Sequence, residues 1–248
     1  MFNLSITHTK PQNLKWQKQQ PSLETHFFLY LCENVSYKSI KINSMNINAK
    51  TIKLVDVFPI SGNFSKEIKT FSLGKASEFP KKNDFSKINR EVFKSHSSVF
   101  DCLKNKKFTD FFKYLESNKT PSVYIFWVNS NDQKTLKIIH DSYKKISKQS
   151  RKSITSVNDF NAELLTLYVG KSENGADSRA ICHLDYTSEK YKSLKITNCC
   201  ADSEIMATII NFQIENKADE FNFWKKILPF SLEYYIAENL KPILGRHQ

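Results

Sequence analysis

Ser122-Val123-Tyr124-Ile125-Phe126-Trp127-Val128, directly after Pro121, is an unbroken apolar and β-branched run, and Leu164-Leu165-Thr166-Leu167-Tyr168-Val169 is a second one that ends at Gly170. Both are short and bounded by breakers, which reads as two strands rather than helices, the first of them buried. Between them, residues 133–148 place Leu136, Ile139, Tyr143 and Ile146 on one helical face and Lys137, Lys144, Lys145 and Lys148 elsewhere, predicting an amphipathic helix. The polar stretch Ser147–Asp159 follows as a loop. Downstream, the pattern predicts a helix over Ser178–Leu184, a strand over Leu194–Thr197, a further element over Ile205–Ile214 and a final helix over Pro229–Leu240. Pro229 fits the first turn of that last helix, where its missing N–H costs nothing. Upstream, Ile88, Val92, Phe93, Val99, Phe100 and Leu103 recur three or four apart in a helical period that sets in at Asp84. A second short helix starts at Thr109-Asp110, buries Phe111, Phe112 and Leu115, and is broken by Lys119-Thr120-Pro121. Thr51–Ile60 reads as a strand ended by Pro59 and the turn Ser61-Gly62-Asn63, while Glu24–Leu31 is an apolar run of either kind.

The whole is therefore α+β, divided at the Lys119-Thr120-Pro121 break into a mixed N-terminal region, 1–118, and a C-terminal part, 119–248. Its 248 residues suffice for a sizeable core, and 40% hydrophobic content is too high for a disordered tail. No apolar stretch approaches the ~18 residues of a spanning helix, and the start of the chain has no signal-peptide core, so a soluble cytoplasmic protein is expected. Charge is uneven: residues 1–120 hold 20 Lys+Arg against 10 Asp+Glu, residues 121–248 hold 17 against 15. A basic first half suits a polyanionic partner. Lysines interleave with aromatics at Phe93-Lys94, Lys107-Phe108 and Phe112-Lys113, where the Phe spacing is better explained by a core. Cysteines at 32, 102, 182, 199 and 200 form no C-x-x-C pair, as expected of reduced, mostly buried thiols. Phosphate-cradling glycine loops, a G-x-S-x-G elbow and an H-E-x-x-H helix are all missing from the sequence.

Four pieces carry chemistry in order: Val123-Tyr124-Ile125 on a strand; Tyr168-Val169-Gly170 closing another, with Lys171 next; Arg179 and His183 one helical turn apart; and Glu233 on the last helix, ahead of Pro242. Together they resemble the GIY-YIG nuclease family over residues 121–246. The resemblance implies a small sheet flanked by helices, with the two tripeptides on neighbouring strands. It implies catalytic roles for Tyr124, Tyr168, Arg179 and His183, with Lys171 beside them, and a divalent Mg²⁺ or Mn²⁺ held by Glu233. Tyr124 and Tyr168 stand farther apart than in that family, which makes about 130–162 an insertion. Such an insertion would project from the hairpin tip and offer Lys137, Lys144, Lys145, Lys148, Arg151 and Lys152 to a DNA backbone. Gly245 stands where many members have an asparagine.

These residue types suit phosphodiester hydrolysis. A single carboxylate can hold a hard cation that keeps several waters, and an arginine fork suits a phosphate. A tyrosine hydroxyl is a poor base at its free pKa near 10, so Tyr124 needs a neighbouring cation or a proton acceptor such as His183. Taken singly, each residue also has a plain structural reading: core tyrosines, a solvated Arg/His face, an exposed helix acid. The sequence thus predicts a metal-dependent DNA endonuclease of a restriction or defence kind by analogy, with a homodimer as one route to cutting both strands. The alternatives are a nucleic-acid-binding protein that kept the fold without the cut, and a lysine-rich RNA-associated protein.

Overall fold

The computed structural model describes residues 64–85, 88, 95–130, 132–149, 156–160, 166–186, 193–214 and 218–245. The expected strand at Thr51–Ile60, the run at Glu24–Leu31, Val92, Phe93, Arg151 and Lys152 lie outside the described residues. Within them the fold is α+β, built on one antiparallel sheet of β1 (Phe64–Lys75), β2 (Ser122–Val128), β3 (Thr166–Ser172) and β4 (Glu204–Ile214). The strand order is β1-β4-β2-β3. Seven α-helical stretches join them among the described residues: α1 (Lys82–Phe85), α2 (His96–Cys102), α3 (Lys106–Ser117), α4 (Gln133–Gln149), α5 (Asp177–His183), α6 (Ile196–Cys199) and α7 (Ala218–Leu240). All belong to one compact unit.

The pleat alternates side chains between two cores. Tyr124, Phe126 and Val128 of β2, with Ile205, Ala207 and Ile209 of β4, face a first core filled by Phe100, Phe108, Phe111, Phe112 and Leu115 from α2 and α3. Phe100 stacks on Phe112 at 4.9 Å between ring centroids. Phe108 and Phe112 are fully buried while Lys107 and Lys113 are exposed, so these two aromatics serve a core, and Phe93-Lys94 lies outside the described residues. On the other side, Val123, Ile125 and Trp127 meet Leu228, Leu232, Ile236 and Leu240 of α7. The indole N–H of buried Trp127 donates to Thr208 Oγ1 at 3.1 Å, which satisfies its one polar atom.

Several sequence expectations need correction. β1 comes from the N-terminal half and pairs along its length with β4, and α2 and α3 fill the core under β2, so described residues from both sides of the Lys119-Thr120-Pro121 break share one sheet and core. Leu194–Thr197 is not a strand: Lys195 takes a left-handed φ of 48° and opens the single turn of α6. The helix expected from Thr109 begins at Lys106, where the Asn105 side chain accepts from the Phe108 N–H and caps it. The last helix starts at Ala218, with Pro229 inside it. An internal proline costs about 3 kcal/mol, but burial of Leu228, Leu232, Ile236 and Leu240 at about 1.5–3 kcal/mol each outweighs it.

The described helix of that insertion, α4, does not project. Leu136, Ile139 and Tyr143 of α4 are buried in the first core, the Tyr143 hydroxyl lies 3.7 Å from Cys200 Sγ, and His140 Nε2 meets the Asn158 carbonyl at 2.9 Å. The apolar stripe that made the helix legible is what draws it back onto the body. Cys199 and Cys200 are buried thiols, pushed up to about 12 by burial, whereas Cys102 is exposed. No helix among the described residues is long and apolar enough to cross a membrane. Docking of α4 is checked by Leu136→Ala: the melting free energy should fall by about 3 kcal/mol, whereas a projecting helix would lose almost nothing.

Candidate active site

β2 and β3 are neighbours, in a register that sets Tyr124 opposite Gly170 and Phe126 opposite Tyr168. The alternation of β3 sends Tyr168 and Gly170 to one side and Val169 and Lys171 to the other. A side chain at Gly170 has no room: a Cβ there would lie 2.6 Å from Tyr124 Cζ and 2.6 Å from Tyr168 Cε1. The missing side chain lets both rings close over the strand, with their centroids 6.2 Å apart.

α5 brings His183 to this pair. The Tyr124 hydroxyl and His183 Nε2 are hydrogen-bonded at 3.0 Å, and the Tyr168 and His183 ring centroids are 4.6 Å apart. Both ends of α5 are fastened. Asp177 in its first turn pairs with Lys119 at 2.7 Å, and the loop before it turns at Gly175, whose φ is +90°. At the far end the His183 carbonyl accepts from the Leu194 N–H at 3.0 Å. Arg179 is exposed on α5, yet its charge reaches both tyrosines and opposes the rise in their pKa values.

Glu233 arrives from α7, and its charge acts on Tyr124, Tyr168 and Lys171. Its carboxyl is pushed up to about 7 by burial, an effect only partly offset by the Lys171 ammonium. Burial in turn holds Lys171 below the usual lysine range, with Glu233 opposing. Lys171 Nζ sits 3.9 Å from the centroid of the Phe230 ring, one turn before Glu233. Tyr124 is held well above its ordinary value by burial first, then by Tyr168 and Glu233, and Tyr168 is pushed up to about 12 by burial and Glu233. Both phenols are therefore neutral near pH 7, so Arg179 and Lys171 do not make a tyrosinate here.

Among the described residues, no group of three or more His, Cys, Asp or Glu side chains could surround a metal ion. A cation here would rest on Glu233 with water completing its sphere. That donor set fits Mg²⁺ or Mn²⁺, since Mg²⁺ commonly binds through one or two carboxylates and keeps its waters. The fit is also electrostatic, because the carboxylate is a negative charge that its surroundings undercompensate.

The structure thus brings together Tyr124, Tyr168, Arg179, His183, Lys171 and Glu233. Lys137, Lys144, Lys145 and Lys148 lie exposed along α4, with Lys144 paired to Asp159 at 3.5 Å. Gly245 has a φ of 126° that side-chain-bearing residues rarely adopt, and its N–H donates to the Ser156 carbonyl at 2.9 Å. Phe230 escaped the sequence reading; its signal was an aromatic residue one turn before Glu233. No family model, curated protein sequence or solved structure matches the chain.

Gly170→Ala should separate the two tyrosines, break the 3.0 Å contact with His183 and cost about 1–3 kcal/mol in thermal unfolding. Glu233 gives a pH signature in the metal-free protein. The folded state holds its proton up to about 7 against 4.5 when unfolded, so its contribution to stability is present below pH 4.5 and lost as pH rises to 7. Glu233→Gln should therefore match wild type near pH 4.5 and become more stable above pH 7, by a few kcal/mol, on the order of 3. Chemical denaturation at the two pH values reads the difference.

Proposed function

We propose that the protein is a divalent-metal-dependent endonuclease that hydrolyses DNA phosphodiester bonds. The observation that carries this reading is the meeting, around the bare backbone at Gly170, of a Tyr124–His183 hydrogen bond, the Arg179 charge and the partly buried Glu233 carboxylate. The neighbouring-strand placement of the two tripeptides agrees with what the GIY-YIG resemblance implies.

Arg179, always charged and exposed, binds the non-bridging oxygens of the scissile phosphate. The neutral Tyr124 hydroxyl acts as a relay: its oxygen takes a proton from the attacking water while its own proton passes to His183 Nε2. The water oxygen bonds to phosphorus, the opposite ester P–O bond breaks, and the leaving oxygen departs with the electron pair and takes a proton from solvent. The phenol is neutral at the start and at the end, so its high pKa is no obstacle. Tyr168, packed on His183, holds the imidazole in line and lends a second hydroxyl. Glu233 would hold Mg²⁺ or Mn²⁺, which when bound supplies a Lewis acid for the phosphate and a water of lowered pKa.

Purified protein, supercoiled plasmid and Mg²⁺ or Mn²⁺ test the proposal. Nicks or discrete fragments should form, and should vanish with EDTA and with Glu233→Ala. Arg179→Ala should slow cutting by about 10²–10³-fold, the usual loss for one donor to a developing charge. Salt-sensitive binding without cutting, on several plasmids and both metals, would replace the nuclease reading with that of a binding protein.

A further inference from the structure

α7 buries Leu228, Leu232, Ile236 and Leu240 against the sheet, yet Phe230 keeps 48% of its surface exposed. An isolated exposed phenylalanine needs no explanation. This one differs in where it stands. Its ring carries the half-buried Lys171 ammonium at 3.9 Å, it lies one helical turn from Glu233, and the exposed Lys226 is one turn behind it on the same helix. Lys171 sits on β3 directly after Gly170, over which the two tyrosines close. An exposed aromatic ring with an ammonium seated on it, one turn from the candidate metal carboxylate, has the chemistry of a platform for a nucleobase whose phosphate is drawn to the lysine.

We infer that Phe230 stacks an unpaired base next to the bond to be cut, so the site takes a single-stranded or locally opened DNA strand rather than an intact duplex. The inference rests on the nuclease reading and narrows its substrate. In a duplex every base face is already stacked on its neighbours, so Phe230 gains nothing there. A splayed nucleotide offers its base to the ring and its phosphate to Lys171. Lys171 closes one aspect of the ring and so favours a flat π-system over an aliphatic side chain on what remains.

The test is fluorescence titration of the full-length protein, in EDTA so that nothing is cut, against DNA oligonucleotides carrying 2-aminopurine, single-stranded and as matched duplexes. Wild type should quench the probe in the single strand and bind that strand about tenfold tighter than Phe230→Leu, with Phe230→Trp restoring both, while duplex affinity is the same for all three. Quenching reports stacking itself, so a mere loss of the Lys171 seat would not reproduce this pattern. Phe230→Leu binding and quenching like wild type, or losing single strand and duplex equally, would overturn the inference and leave the nuclease reading standing. Failure of wild type to bind either form would overturn both.

Discussion

The missing side chain at position 170 is the constraint on which the candidate site depends. Two tyrosine rings and an imidazole crowd a stretch of β3 that no Cβ could share, and every other member of the cluster is placed relative to them. The register of β2 on β3 puts Tyr124 across from this gap, and α5 delivers His183 to the hydroxyl that results. The ion pair of Asp177 with Lys119 and the Leu194 hydrogen bond then hold α5 from both ends.

A second feature is that polar chemistry has been accepted at a cost in stability. A carboxyl, two phenols and an ammonium are partly or wholly withdrawn from water, and burial leads the cause of each shift. The only described opposite charge offsetting Glu233 is Lys171. Such a group is strained toward whatever restores its balance, and a bound cation would do so. The resting protein is thus poised by electrostatics rather than by backbone strain.

Much of this was legible in the sequence. β2 and β3 announced themselves by continuous apolar runs between breakers, and α4 by its apolar stripe. The order of Tyr124, Tyr168, Arg179 and Glu233 along the chain was enough to nominate residues that the structure sets together. What the sequence hid was long-range. β1 carries Lys66, Glu67 and Lys69 exposed on an end strand, a composition that guards against edge-to-edge association and gives no local apolar alternation. Only its partner β4 makes it a strand. The start of α7 was obscured because a proline is ordinarily a boundary, and the apolar face that overrides it acts through the sheet. Phe230 was invisible for the opposite reason: a phenylalanine is read as core until its exposure is known.

The pairing of β1 with β4 bears on how the molecule is made. Thr70 and Thr208 touch across 138 positions, and β4 lies between β1 and β2 in the sheet. A growing chain therefore holds β1 and the β2–β3 pair as two unconnected edges until β4 emerges, and the helix that follows β4 carries Glu233. Contacts of such separation fold slowly and leave strand edges exposed meanwhile. Completion of the sheet by β4 thus comes just before completion of the cluster by α7, so that no nascent fragment ending before α7 carries the full set of charged groups.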